Sequence, residues 1–181
     1  MADYHAIAEV AAAVFGHLEH LSAREQPPVP VSLCLPAALA ACEGIAICLW
    51  QVTPSARNDA APHGRNPSNQ RFRTAAAFDL HFVAISNASD VHRQHVQLGW
   101  LLSALSNNPV LLSDGKPKSL DLAALPAGET ISLILDQPNI ADDLNLRNAL
   151  RISGPTIGFV ARSATIDTTP PLASLPIQVL R

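Results

Sequence analysis

Phe78 to Leu112 (FDLHFVAISNASDVHRQHVQLGWLLSALSNNPVLL) switches from a strand-like to a helix-like hydrophobic pattern and then stops at a proline. Few folds accept that order. Phe78 to Ile85 is rich in β-formers, with Phe78, Leu80 and Phe82 on one side and Asp79 and His81 on the other. Asn87 or Ser89 can cap the helix that follows, and Asp90 is well placed for its dipole. Val91, His95, Leu98, Leu101, Leu102 and Leu105 then share one helical face. Gly99 is an internal weak point, costing about 1 kcal/mol against Ala. Asn107, Asn108 and Pro109 end the helix, because a residue before proline avoids the helical region.

The flanking sequence supplies the rest of a layered domain. Ile7, Val10, Val14, Leu18 and Leu21 recur at helical spacing over residues 3 to 24, with Asp3 as N-cap and Gln26-Pro27-Pro28 as the stop. Val29 to Leu35 reads as a short extended segment. Ile45 to Thr53 (IAICLWQVT) is a firmer strand whose apolar start predicts burial on both faces. Ile131 to Leu135 and Pro155 to Ile166 are further strands, and Ile140 to Leu150 is a short helix with Leu144 and Leu150 inward. Pro54 to Thr74 and Ser113 to Gly128 are polar loops. This order predicts the α+β class: a predominantly antiparallel sheet flanked by helices, in one domain over residues 1–167. Residues 168–181 form a Pro-rich C-terminal arm. Pro170, Pro171 and Pro176 cannot donate to a ladder, so the arm is not a central strand. It either lies along a neighbouring subunit or folds back through Leu172, Leu175, Ile177 and Leu180.

Charged residues make up 15% of the chain and hydrophobic ones 48%, against roughly 25% charged in ordinary soluble domains. So little polar surface predicts that partners cover part of the outside, although an Ala- and Leu-rich globular protein has the same composition. A net charge of -3 argues against a nucleic-acid binder, which needs a broad basic face. The opening MADYHAIAEV has acidic Asp3 and Glu9 and no cationic region, unlike a secretory signal. The most apolar window, Leu33 to Trp50, is broken by Pro36, Glu43 and Gly44, so no membrane span is expected. Cys34, Cys42 and Cys48 are an odd number set in hydrophobic runs, which predicts buried free thiols in a reducing cytoplasm.

The familiar chemical motifs are missing. There is no Gly-x-Ser-x-Gly elbow. Gly115-Lys116 lacks the upstream glycine of a phosphate loop, and Pro117 stands where Ser or Thr is required. The cysteines form no CxxC pair. His17 with His20, and His92 with His95, are spaced to share a metal on one helix face, but no third ligand is marked out. Core or interface histidines are therefore expected, with no metal, no cofactor and no catalytic residue. Asp79 and His81 fit either an acid–base pair or a polar stripe facing solvent or a subunit, and the stripe is the expectation. Arg57, Arg65, Arg71 and Arg73 stand against Asp59 in one loop, which suits an acidic partner or simple solvation.

Across most of its length the chain resembles the cap, or tail-terminator, family of bacterial contractile injection systems, the phage-tail-like particles. Met1-Ala2-Asp3-Tyr4 with Ile7 and Val10 is similar to that family's opening helix. Leu49-Trp50-Gln51-Val52-Thr53-Pro54 resembles its Leu-Tyr-Arg-Val-Thr-Pro strand end, followed by Arg57-Asn58. Phe78-Asp79-Leu80-His81-Phe82 resembles its Leu-Asp-Leu-His-Tyr strand, and Leu98-Gly99-Trp100 through Asn108-Pro109-Val110-Leu111 its next helix and exit. The agreement thins later, where Asp142-Asp143-Leu144 and Leu146 lack the family's Trp, and Gly154-Pro155 interrupts the closing strand.

The resemblance implies a tail-terminator-like fold and a structural role, not an enzyme. The chain would form a homo-oligomeric, hexameric ring on the tube end distal to the baseplate. It would contact tube and sheath proteins and anchor the last sheath ring. Assembly would be cytoplasmic, within a particle that can be released, with no nucleic acid and no membrane partner. A phage tail-completion or joining protein shares that geometry. An enzyme with an unrecognised site requires His81, Asp79 and His95 to converge in a pocket.

Overall fold

Side-chain alternation along the long strands sets the layering. The computed structural model describes residues 6–55, 75–112, 130–136, 140–152 and 154–167. In chain order the elements are α1 (Ala6–Ser22), β1 (Val31–Leu33), a 3-10 helix (Pro36–Ala41), β2 (Ile45–Pro54), β3 (Ala75–Ser86), α2 (Val91–Asn107), β4 (Val110–Leu112), β5 (Thr130–Leu135), α3 (Ile140–Leu150) and β6 (Thr156–Asp167). The strands form one sheet in the order β1-β2-β3-β6-β5-β4. Every pairing is antiparallel except that of β1 with β2. The long β3 and β6 are central, and the two edges are three-residue strands.

On one face of the sheet, Ile45, Ile47, Leu80, Phe82, Ile131, Leu133 and Phe159 meet Val10, Val14 and Leu18 of α1 and Leu101 and Leu105 of α2. Phe82 stacks on Phe159 with ring centroids 5.2 Å apart. On the other face, Ala46, Cys48, Val83 and Ile85 are covered by Leu39 of the 3-10 helix and Leu146 of α3. Burial of Ile45 through Cys48 on both faces therefore matches the apolar start of β2.

Several local expectations fail for identifiable reasons. Neither Asn87 nor Ser89 caps α2. Asp90 does, accepting from the backbone N–H groups of His92 and Arg93. Asn87 instead donates its amide to the Leu39 and Cys42 carbonyls, 2.6 and 2.7 Å away. The buried arc of α2 is Leu98, Leu101, Ala104 and Leu105, which leaves Val91, His95 and Leu102 exposed. Leu144 is 55% exposed whereas Leu146 is 8% exposed. Leu146 and Leu150 lie one turn apart on a single face, and Leu144 falls on the opposite side.

The expectation of three free thiols fails as well. Cys34 and Cys42 are joined as a disulfide, and only Cys48 is free and buried. The 3-10 helix turns the chain back so that the two positions meet, a proximity their spacing alone does not reveal. Asp3, the arginine-bearing loop and the Pro-rich arm lie outside the described residues.

Candidate functional site

The second face of the sheet carries a polar line beyond the Leu39–Leu146 core. β2 and β3 slip register between Leu49 and Gln51. A one-residue slip turns the following side chains to the opposite face, so Thr53 comes to the side occupied by His81. His81 Nε2 lies 2.9 Å from Thr53 Oγ1, and Nδ1 lies 3.0 Å from Asp136 Oδ2 just past β5. With its proton on Nδ1 donating to the carboxylate, the ring accepts the Thr53 hydroxyl at Nε2. Trp50 meets the imidazole edge-on at 6.1 Å. Asp79, beside the irregularity in the β3–β6 pairing, stands 3.9 Å from Arg162 Nε.

Hydroxyl, imidazole and carboxylate in a row are the ingredients of a nucleophile relay, but acyl transfer also needs oxyanion donors and a substrate cleft. Two clefts among the described residues lie elsewhere. One, about 140 Å³, is lined by Leu21, Arg24, Glu25 and Trp100 between α1 and α2. The other, about 250 Å³, is lined by Glu43, Gly44, Asn87, Arg93 and Gln97. His81 and Asp79 share a sheet face, but His95 is exposed on α2, so the three do not converge. Among the described residues the line His81–Asp136–Thr53 is a cross-strand tie. Sequence spacing could not reveal it, since Asp136 is brought over from the far side of β6.

The histidine pairs also separate. Burial pushes the His17 imidazole below its ordinary range, against a backbone hydrogen bond at Asn108 that raises it, while His20 and Arg24 add to the lowering. His17 Nε2 is buried with no hydrogen-bond partner among the described residues. His20 Nε2 accepts from the Arg24 guanidinium at 3.0 Å, so its lone pair is engaged. His92 and His95 are exposed. Among the described residues no three His, Cys, Asp or Glu side chains are grouped to hold a metal ion.

The exposed surfaces are more informative. The outward arc of α2 presents Val91, His92, His95, Val96, Gly99, Leu102, Ser103 and Ser106, and Arg93 is the helix's only Lys, Arg, Asp or Glu. A Cβ added at Gly99 would meet nothing within 4 Å. Both sheet edges expose apolar side chains as well, Leu33 and Leu35 on the β1 side and Val110, Ile134 and Leu135 on the β4–β5 side. Exposed apolar side chains of this kind, in surface poor in charge, suit contact with other proteins. No helix among the described residues is long and apolar enough to cross a membrane.

Comparison with known proteins agrees with this architecture. The chain is similar over 97% of its length to the sheath/tube terminator, in its extended state, of an extracellular contractile injection system named PVC. The sequence identity is 12% and the TM-score 0.59. The chain spans 61% of that neighbour's length. No curated protein matches the sequence. The family model for the Pvc16 N-terminal domain matches residues 10–173, which takes in the whole described sheet, α2, α3 and all but the first four residues of α1. The chain belongs to the Pvc16 N-terminal domain family.

Proposed function

We propose that the chain is the cap of a contractile injection particle, forming a hexameric ring on the distal end of the tube and anchoring the last sheath ring. The observation that carries this reading is the alignment of 97% of the chain with a protein described as a sheath/tube terminator. The charge-poor arc of α2 and the apolar side chains at both sheet edges support contact rather than chemistry as its mode of action. Head-to-tail contacts that close by rotation make the ring, and a sheet edge offers the sheath a site for strand addition. The protein is assembled in the cytoplasm with its tube and sheath partners and leaves with the released particle.

Residues 168–181 serve in this reading as an assembly arm. At about 3.3 Å per residue they are long enough to reach a neighbouring subunit. The loop carrying Arg57, Arg65, Arg71 and Arg73 supplies a basic contact to an acidic partner. A strain lacking the chain tests the proposal. Its tubes should grow to irregular lengths and lose their last sheath ring, and the full chain should restore both. A chain ending at residue 167 should fold normally but fail to restore them. Tubes of uniform, sheathed length in the deletion strain would overturn the reading.

A further inference from the structure

The 3-10 helix Pro36–Ala41 packs on β2 and against α3, covering the second core. Leu39 is its one buried side chain. Its N-cap residue, Leu35, makes no side-chain cap hydrogen bond and is 76% exposed. The Asn87 amide ties down the Leu39 and Cys42 carbonyls, and a covalent tie runs from Cys34 to Cys42. Cys34 directly follows edge strand β1 and donates its N–H to the Ile47 carbonyl at 2.8 Å, and Cys42 is the C-cap of the 3-10 helix. The bond thus closes a short loop around one of the two covers of the second core, and it does so at the sheet's edge.

We propose that Cys34 and Cys42 are a redox clamp. Oxidised, the pair pins the C-terminal end of the 3-10 helix to the end of β1. Reduced, it frees the 3-10 helix while β1, paired with β2 and packed under α1 through Val31, stays folded with the first core. Closure takes one hydrogen from each thiol, and a small-molecule disulfide such as oxidised glutathione accepts them, leaving the protein disulfide and two glutathione thiols. Cys48 packs in the same cluster but does not compete. It is fully buried, and burial pushes its thiol up, which keeps it in the unreactive protonated form. The separation of the two clusters by the sheet explains why release of one face does not unfold the other. The consequence for a particle is a surface beside the sheet edge that is loose during assembly in a reducing compartment and fixed after release. That consequence rests on the reading above, whereas the clamp itself does not.

The test uses the full chain, incubated with oxidised glutathione or with dithiothreitol, followed by peptide mapping and amide hydrogen exchange. The oxidised sample should yield a peptide linking Cys34 to Cys42, with Cys48 free. Reduction should speed exchange over residues 35–43 roughly tenfold or more, since opening a short closed loop restores its chain entropy. The β3 and β6 amides should exchange as before. Cys34→Ser should reproduce the reduced pattern whatever the oxidant. Cys48 in a linked peptide, equal exchange in both states, or acceleration spread through β3 and β6 would overturn the proposal. None of these outcomes depends on particles, so failure of the clamp and failure of the cap reading are distinguishable.

Discussion

At Gly44 the backbone takes a φ of +72°, and a Cβ there would lie 2.3 Å from the Pro30 carbonyl oxygen. That oxygen accepts from Ile45 N–H at 2.8 Å, where β1 and β2 begin their parallel pairing. Gly44→Ala should therefore cost about 2 kcal/mol or more, read as a lower denaturation midpoint, because the left-handed conformation and the backbone clash act together. His17 sets a pH dependence. Its pKa is held below the ordinary value in the fold, so the unfolded chain binds more protons and stability rises with pH across that gap. The contribution is complete above about pH 6.5 and is lost as pH falls below it. His17→Gln should flatten the wild-type slope of melting temperature between about pH 7.5 and 5.5. Asp90 acts lower. Backbone hydrogen bonds from Arg93 and His92 hold its carboxyl below its usual range, so its capping weakens only in acid. That Asp90 would lie at the start of α2 was legible in the sequence, but its role as the cap was not. Asn87 had the right chemistry and a different destination, the carbonyls of Leu39 and Cys42.

Elements were read more reliably than the faces they bury. Both long helices and the four longer strands follow from hydrophobic period and proline stops. β4 and the 3-10 helix are not legible in the sequence, because three-residue strands and Ala-rich turns carry no hydrophobic period. In α3 the apolar residues are too few to fix a face, and the choice between Leu144 and Leu146 is made by the underlying sheet. Leu146→Ala should cost about 2–4 kcal/mol by emptying the cover over Cys48, Val83 and Ile85, whereas Leu144→Ala should change stability by less than about 0.5 kcal/mol. Equal losses in urea denaturation would show that α3 sits on the sheet by its other side. The same logic applies to the register slip at Leu49/Gln51. No sequence pattern announces it, yet it decides that Thr53 meets His81.

At the scale of the whole molecule, the class was legible because a strand–helix–strand order with helical stripes admits few alternatives, and the sheet is antiparallel in all pairings but one. The tie from His81 to Asp136 and the meeting of Cys34 with Cys42 were not legible, since both depend on chain paths that close only in three dimensions. The molecule that results has a core on each face of the sheet and an outside with little fixed charge on α2 and at the sheet edges. Electron microscopy of assembled particles carrying a labelled copy of the chain tests this account most directly. The label should appear as a single ring at the end of the tube distal to the baseplate. Label spread along the tube, or particles that contain none, would contradict it.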